Sequence, residues 1–189
     1  MAAAVTSTGP STTPEAPVSR PVRLVRVAAL LVAAAAITFT ATLHEQLGFD
    51  RGIAAAALGA IGIAHLVEWT ARRPVSPSPV PLLLAIAAIL AAIALPFAGT
   101  PIVFACVLAA WALVSALLEL LGSAVRPGSR SDATLLGASG ILLAILTLLV
   151  REDPVAVLGF FGAYTIVAGV FLGISAFDTR RTGAERADR

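Results

Sequence analysis

Lysine and asparagine are missing from this 189-residue sequence, and cysteine occurs once. Charged residues make up 13%, against about 25% in an ordinary soluble domain. Each shortage excludes something. Cys106 stands alone inside an apolar run, so no intramolecular disulfide is possible. His44 and His65 have no thiol near them in sequence, and no metal site is expected. There is no phosphate loop, no HExxH, no GxSxG and no workable serine–histidine–acid set. The expectation is a non-enzymatic protein without catalytic residues or cofactor. A pI near 9.5 comes from a net charge of only +2, carried by scattered arginines. No nucleic-acid partner follows from that. The missing lysine and asparagine, with abundant alanine, fit a GC-rich bacterial gene.

What the chain does have is hydrocarbon. It is 58% hydrophobic, with a mean hydropathy of +0.94. Six apolar blocks run Val22–Leu43, Gly52–Ala71, Val80–Phe97, Ile102–Val125, Ala133–Val150 and Pro154–Phe177. Each approaches the ~20 residues a helix needs to cross a bilayer. No period-2 alternation is present, and lipid requires every backbone polar group to be satisfied inside a helix or a closed barrel. The predicted fold is all-α: a polytopic membrane bundle of six transmembrane helices, spanning residues 22–177. Residues 1–21, rich in Ser, Thr and Pro, read as a disordered cytoplasmic tail. The first helix is expected to be retained rather than cleaved as a signal. Residues 178–189 read as a C-terminal cytoplasmic tail.

The arginines set an orientation. Arg20, Arg23 and Arg26 lie at the start of helix 1, and Arg72 and Arg73 follow helix 2. Arg126 and Arg130 separate helices 4 and 5, while Arg180, Arg181, Arg186 and Arg189 follow helix 6. Only Arg51 and Arg151 fall on the other side, each beside an acidic residue. Under the positive-inside rule the arginine-rich side is cytoplasmic, with both termini on it. The expected location is a bacterial inner membrane, with the lipid bilayer as the first partner.

The even helices echo one another. Glu68 of helix 2 aligns with Glu119 of helix 4, and Trp111 of helix 4 aligns with Tyr164 of helix 6. Pro101 and Pro154 each open a helix, where the first turn needs no N–H donor. The unit suggested is a helical hairpin repeated three times. From Pro81 to Phe177 the chain resembles the HdeD-type short-repeat membrane proteins. The resemblance rests on WALVSALLELLGSAVRPGSRSDATLLGASGILLAILTLLVREDPVAVLGFFGAYTIVAGVFLGISAF. Its features are an aromatic-x-x-x-small step, a basic Gly/Pro turn, the LLGASGILLAILTLL helix and an acidic-Pro start to the last helix. The first hairpin carries the pattern weakly. The resemblance implies a six-helix bacterial inner-membrane protein, with some members linked to acid resistance. It supplies no catalytic residues.

Ionisable groups inside membrane helices are functional candidates by default. His65 and Glu68 are three apart on one helix face, and Glu119 lies at the repeat-equivalent position. Together they form a candidate proton-sensitive group near the cytoplasmic boundary. The competing expectation is structural pairing of the carboxylates with Arg72, Arg73 or Arg126. Glu68 and Arg72 have the favourable i, i+4 spacing. Gly169-x-x-x-Gly173 and the weaker Ala55-x-x-x-Gly59 are candidate helix-packing faces, within the bundle or toward a second copy or another membrane protein. The HEQLGFDR turn, with His44 and Asp50, reads as an ordinary solvated loop. Three functions stay open at this stage: HdeD-like acid or envelope stress tolerance, a small proton or solute channel or transporter, and an assembly partner. A water-filled cavity between helices 2, 4 and 6, lined by the carboxylates, would favour conduction. An Ala/Leu-filled interior would favour the structural reading.

Overall fold

The computed structural model describes residues 20–44, 46–73, 78–125 and 130–187, without the side chains of 124–132 and 178–187. The expected N-terminal tail therefore lies almost wholly outside the described residues. Among the described residues every regular element is a helix: α1 (Arg20–Phe39), α2 (Leu47–Arg72), α3 (Val80–Ala94), α4 (Pro101–Val125), α5 (Arg130–Leu149) and α6 (Pro154–Ala187). Short 3₁₀ turns follow α1 (Ala41–Leu43) and α3 (Leu95–Phe97). Five helices are long and apolar enough to cross a membrane, and a sixth, shorter apolar stretch covers Ala133–Leu149.

Helix ends follow local chemistry. Pro101 opens α4, and the Thr100 Oγ1 accepts the Val103 N–H at 3.3 Å. Pro154 opens α6, and Asp153 Oδ1 accepts the Ala156 N–H at 3.0 Å. Both satisfy an amide that the first turn leaves without a helical partner. Pro96 sits in the 3₁₀ turn that ends the third apolar block, as its missing N–H dictates. Two boundaries differ most from the hydropathy pattern. The second helix starts at Leu47, ahead of the expected Gly52, because Asp50 and Arg51 find hydrogen-bond partners inside the protein, as described below. The sixth continues through the charged residues 178–187 rather than stopping at Phe177.

The chain order forms a ring. Packing is most extensive between α4 and α5, between α2 and α3, and between α6 and α1, which closes the ring. The pairs α1–α2, α3–α4 and α5–α6 pack less extensively, so the expected hairpins are not the most closely packed units. Close approach is made where glycine removes a side chain. A Cβ on Gly62 would lie 2.8 Å from Ile89 Cγ1 of α3, and one on Gly140 would lie 3.0 Å from Ala116 Cβ of α4.

The interior is filled by Leu30, Leu58, Phe104, Leu108, Leu158, Phe161 and many alanines. Trp111 stands edge-on to both Phe161 and Tyr164, at ring-centroid distances of 5.6 and 5.9 Å. Such edge-to-face contacts add to simple burial. The outer surface is also hydrocarbon: Leu149 is 72% exposed and Val32 67%, with Leu90, Leu121 and Ile174 similarly bare. Aqueous proteins do not leave such contiguous apolar surface uncovered.

Candidate functional site

Helix α1, which packs on α6 and α2, carries Arg26 less than two turns from its start, with its side chain reaching α2 and α4. Its guanidinium makes an ion pair and hydrogen bond with Glu119 of α4 through Nη2. Through Nη1 it lies 3.8 Å from Glu68 of α2. The other Glu68 oxygen is 2.6 Å from Arg72 Nη2, one turn further along the same helix. The four side chains are mostly shielded, so partner loss costs far more here than at an open surface. Three helices distant in sequence are thereby tied together at one end of the bundle.

His65 lies beside this cluster, with Nδ1 at 4.0 Å from Glu68 Oε2, beyond hydrogen-bond range. It is buried, and that nitrogen has no hydrogen-bond partner. A small void of about 20 Å³ joins His65 to Trp111, Ser115, Tyr164 and Glu119. Outside it, toward the helix ends, a cavity of about 150 Å³ is bounded by Arg23, Arg26, Glu68, Arg72 and Glu119.

The structure thus brings His65, Glu68 and Glu119 into one neighbourhood. Sequence reasoning placed Arg26 only among the orientation-setting arginines and missed it as the cation between the two carboxylates. The available signal was balance. Two carboxylates at similar depth in an apolar bundle need a cation, and Arg26 is the arginine of α1 furthest from the helix start. Arg20 is spent differently, its guanidinium stacking 4.4 Å from the Phe177 ring centre. Arg73 lies 5.0 Å over Trp69. Arg126 falls outside the described residues, as do the side chains of Arg130, Arg180 and Arg181.

The opposite end has its own polar group, and here the solvated-loop expectation is corrected. His44 and Asp50 are 6% and 0% exposed. His44 Nδ1 is 2.7 Å from Asp50 Oδ1, and its Nε2 is 2.9 Å from the Ile37 carbonyl oxygen. Both ring nitrogens face acceptors, so the pair shares a proton while Nε2–H donates to the carbonyl. Arg51 donates to the Ala98 and Pro96 carbonyls at 2.7 and 3.3 Å, fastening α2 to the α3–α4 turn. These bonds let a Phe-Asp-Arg stretch enter a helix that hydropathy alone ends early.

Of the glycine faces, Gly169 and Gly173 pack inside the chain against Leu31, Leu30 and Val27 of α1. Ala55 packs partly against the core, whereas a Cβ on Gly59 would meet nothing within 4 Å. The Ala55–Gly59 face is therefore not a close-approach face within this chain; α2 uses Gly62 instead. The carboxylate-lined cavity sits at the bundle end with α2, α4 and α6 all on its wall, through Glu68, Glu119 and Leu172, and the small void beside it is lined by Ile61, Trp111 and Ala168 of the same three helices. Between the two ends the described buried polar side chains are Ser115, Thr147 and Thr165, the two threonines each bonded to a carbonyl of its own helix, and the buried Trp111 Nε1 has no hydrogen-bond partner.

Apolar side chains outside, ionised side chains paired inside, and helices of membrane-crossing length give this bundle the build of an integral membrane protein. No family model matches the chain, and comparison with curated proteins and with solved structures returned no match.

Proposed function

We propose that this is a non-enzymatic bacterial inner-membrane protein of the HdeD-like kind, with both termini cytoplasmic, acting in acid or envelope stress tolerance through its intramembrane carboxylates. The observation that carries the reading is Arg26 of α1 held between Glu68 of α2 and Glu119 of α4. Both attractions exist only while the carboxylates are ionised. Two unit charges 4 Å apart attract by about 4 kcal/mol at an effective dielectric of 20. Proton uptake by Glu119 deletes such a contribution and leaves Arg26 with Glu68, which it shares with Arg72. Uptake by both leaves two guanidiniums facing each other without counter-charge. Helix α1 then loosens from α2 and α4, and its packing on α6 changes with it. His65, Tyr164 and Arg23 face the same region, and a charged His65 would compete with Arg26 for Glu68. The void between α2, α4 and α6 holds only about 20 Å³, room for about one water, which supports a switch in packing over a continuous path for conduction.

The test uses a strain that needs the protein to survive acid. Glutamine at both Glu68 and Glu119 mimics the protonated state. We expect it to increase the α1–α4 distance, read by paired spin labels, at neutral pH and to flatten the response to acid. Unchanged acid survival together with an unchanged distance at both pH values overturns the proposal.

A further inference from the structure

The cavity at the arginine-rich end has more cationic capacity than its carboxylates consume. Its wall holds three guanidiniums (Arg23, Arg26 and Arg72) against two carboxylates, Glu68 and Glu119. Arg26 is committed to both carboxylates, and Arg72 Nη2 is committed to Glu68. Two sets of donors remain. Arg23 has no acidic partner among the described residues. Arg72 keeps 27% of its side chain exposed beside its bond to Glu68, on the cavity wall. Ser78, also on the wall, accepts the Val80 N–H at 3.4 Å through its hydroxyl oxygen, which leaves its O–H free to donate.

We infer that this cavity binds a phosphoryl oxyanion, held by Arg23, the exposed edge of the Arg72 guanidinium and the Ser78 hydroxyl. Guanidinium groups suit this ligand because their planar N–H forks match tetrahedral oxyanions. A carboxylate wall is not repulsive when each carboxylate is already neutralised by an arginine, and the net wall charge is one positive. Size also fits: about 150 Å³ is many times the ~10–15 Å³ that one water needs. The site is at the level where α2 ends and α3 begins, the depth of lipid headgroups in a bundle of this length. Basic pockets between helices at that depth take headgroup phosphates. The phosphoryl group can belong to an anionic phospholipid or to free phosphate. The inference does not rest on the acid-tolerance reading, since it uses the cations that the Glu68 and Glu119 pairing leaves over.

The experiment has two arms on the purified full-length protein. In the first, inorganic phosphate is titrated in detergent and binding is read by calorimetry. In the second, the protein is placed in phosphatidylcholine nanodiscs with or without 20 mol% cardiolipin, and retained lipid is counted by native mass spectrometry. Each arm compares wild type with Arg23→Gln, Ser78→Ala and, as a control for general basic charge, Arg73→Gln. Arg73 lies outside the cavity wall. Binding in either arm that Arg23→Gln weakens at least tenfold, and Arg73→Gln leaves within twofold, supports the site; the arm that responds names the source. No binding in both arms overturns the inference. So does binding that falls equally with Arg23→Gln and Arg73→Gln, which would be attraction to surface charge. Circular dichroism confirms that each variant is folded, and Ser78→Ala, which removes no charge, keeps the test decisive should Arg23→Gln fail to insert.

Discussion

Replacing Arg26 with glutamine removes one cation and strands one anion. Among the described residues Arg26 is the ion-pair partner of Glu119, whereas Glu68 keeps Arg72 at 2.6 Å. Removing one member of a buried pair costs about 3–5 kcal/mol, chiefly because the survivor stays buried and charged. Glu119→Gln is milder, since Arg26 still has Glu68 at 3.8 Å. A lost charge-assisted bond of that kind costs about 1.5–3 kcal/mol. The double variant leaves two amides able to hydrogen-bond each other and no stranded charge. Its cost should fall short of the summed single costs by about 2–3 kcal/mol.

That shortfall is the coupling energy of a double-mutant cycle, and reversible unfolding in bicelles by steric trapping measures it. The comparison value is the average of about 0.6 kcal/mol found for polar pairs between membrane helices. A coupling at or below that value refutes the reasoning, because the pair would then hold α1 no better than an ordinary hydrogen bond. An Arg26→Gln cost below about 1 kcal/mol refutes it independently, since a mostly shielded Glu119 that has lost its cation cannot be that cheap.

Other sites yield separate outcomes. Gly169→Leu places a Cβ 2.9 Å from Leu31 Cδ2, and Gly62→Leu places one 2.8 Å from Ile89 Cγ1. Each should cost about 1–3 kcal/mol by overpacking, while Gly59→Leu, with nothing within 4 Å, should stay within about 0.5 kcal/mol; equal costs by denaturant titration would refute the packing assignment. His44→Leu strands the buried Asp50 and should cost about 3–5 kcal/mol, with most of it recovered in His44→Leu/Asp50→Leu; no recovery would mean that shape rather than charge pairing holds that end. In a Cys106→Ser background, chosen because Cys106 is exposed on the outer surface, cysteine at Gln46 or Glu152 should react with an impermeant maleimide from outside the cell. Cysteine at Arg73 should react only after permeabilisation, and the reverse pattern would overturn the proposed orientation.

The helical class and the positions of the apolar blocks were legible because lipid forces both. An 18–25-residue apolar run is a direct consequence of bilayer thickness, and Pro101 and Pro154 mark helix starts by a local rule. Asp50 was not legible in that way. Its burial depends on His44, six residues away across a turn, and on Arg51 reaching carbonyls more than forty residues away. Hydropathy sums side chains one at a time and cannot register that an ionisable group finds its partner across a turn. The same limit hid Arg26: its position suits an interfacial anchor, and only the packing of α1 between α6 and α2 turns it inward, toward Glu68 and Glu119. The glycine faces divide for a related reason. Gly169-x-x-x-Gly173 and Ala55-x-x-x-Gly59 look alike as strings, but the first meets α1 while Gly59 meets no neighbour.

The placement of polar groups also constrains how motion at one end reaches the other. The arginine-rich cluster ties α1, α2 and α4, and the His44–Asp50 pair ties the turn after α1 to the start of α2. Both ties therefore act on the α1–α2 pair, from opposite ends. Between them lie the buried apolar side chains Leu30, Ile37, Leu58 and Ile61, whose packing is non-directional and tolerates small sliding better than hydrogen bonds do. Releasing the Arg26 cluster would thus leave α1 anchored at the far end and free to pivot about it. Helix α6, which packs on α1 through Gly169 and Gly173, would feel the largest displacement near Gly173, opposite Val27. A spin-label pair near Val27 and Gly173 should therefore broaden on Glu68→Gln/Glu119→Gln, while a pair near Ile37 and Gly162 stays sharp. Equal broadening at both levels would mean that α1 detaches as a whole and that the His44–Asp50 tie does not serve as the pivot.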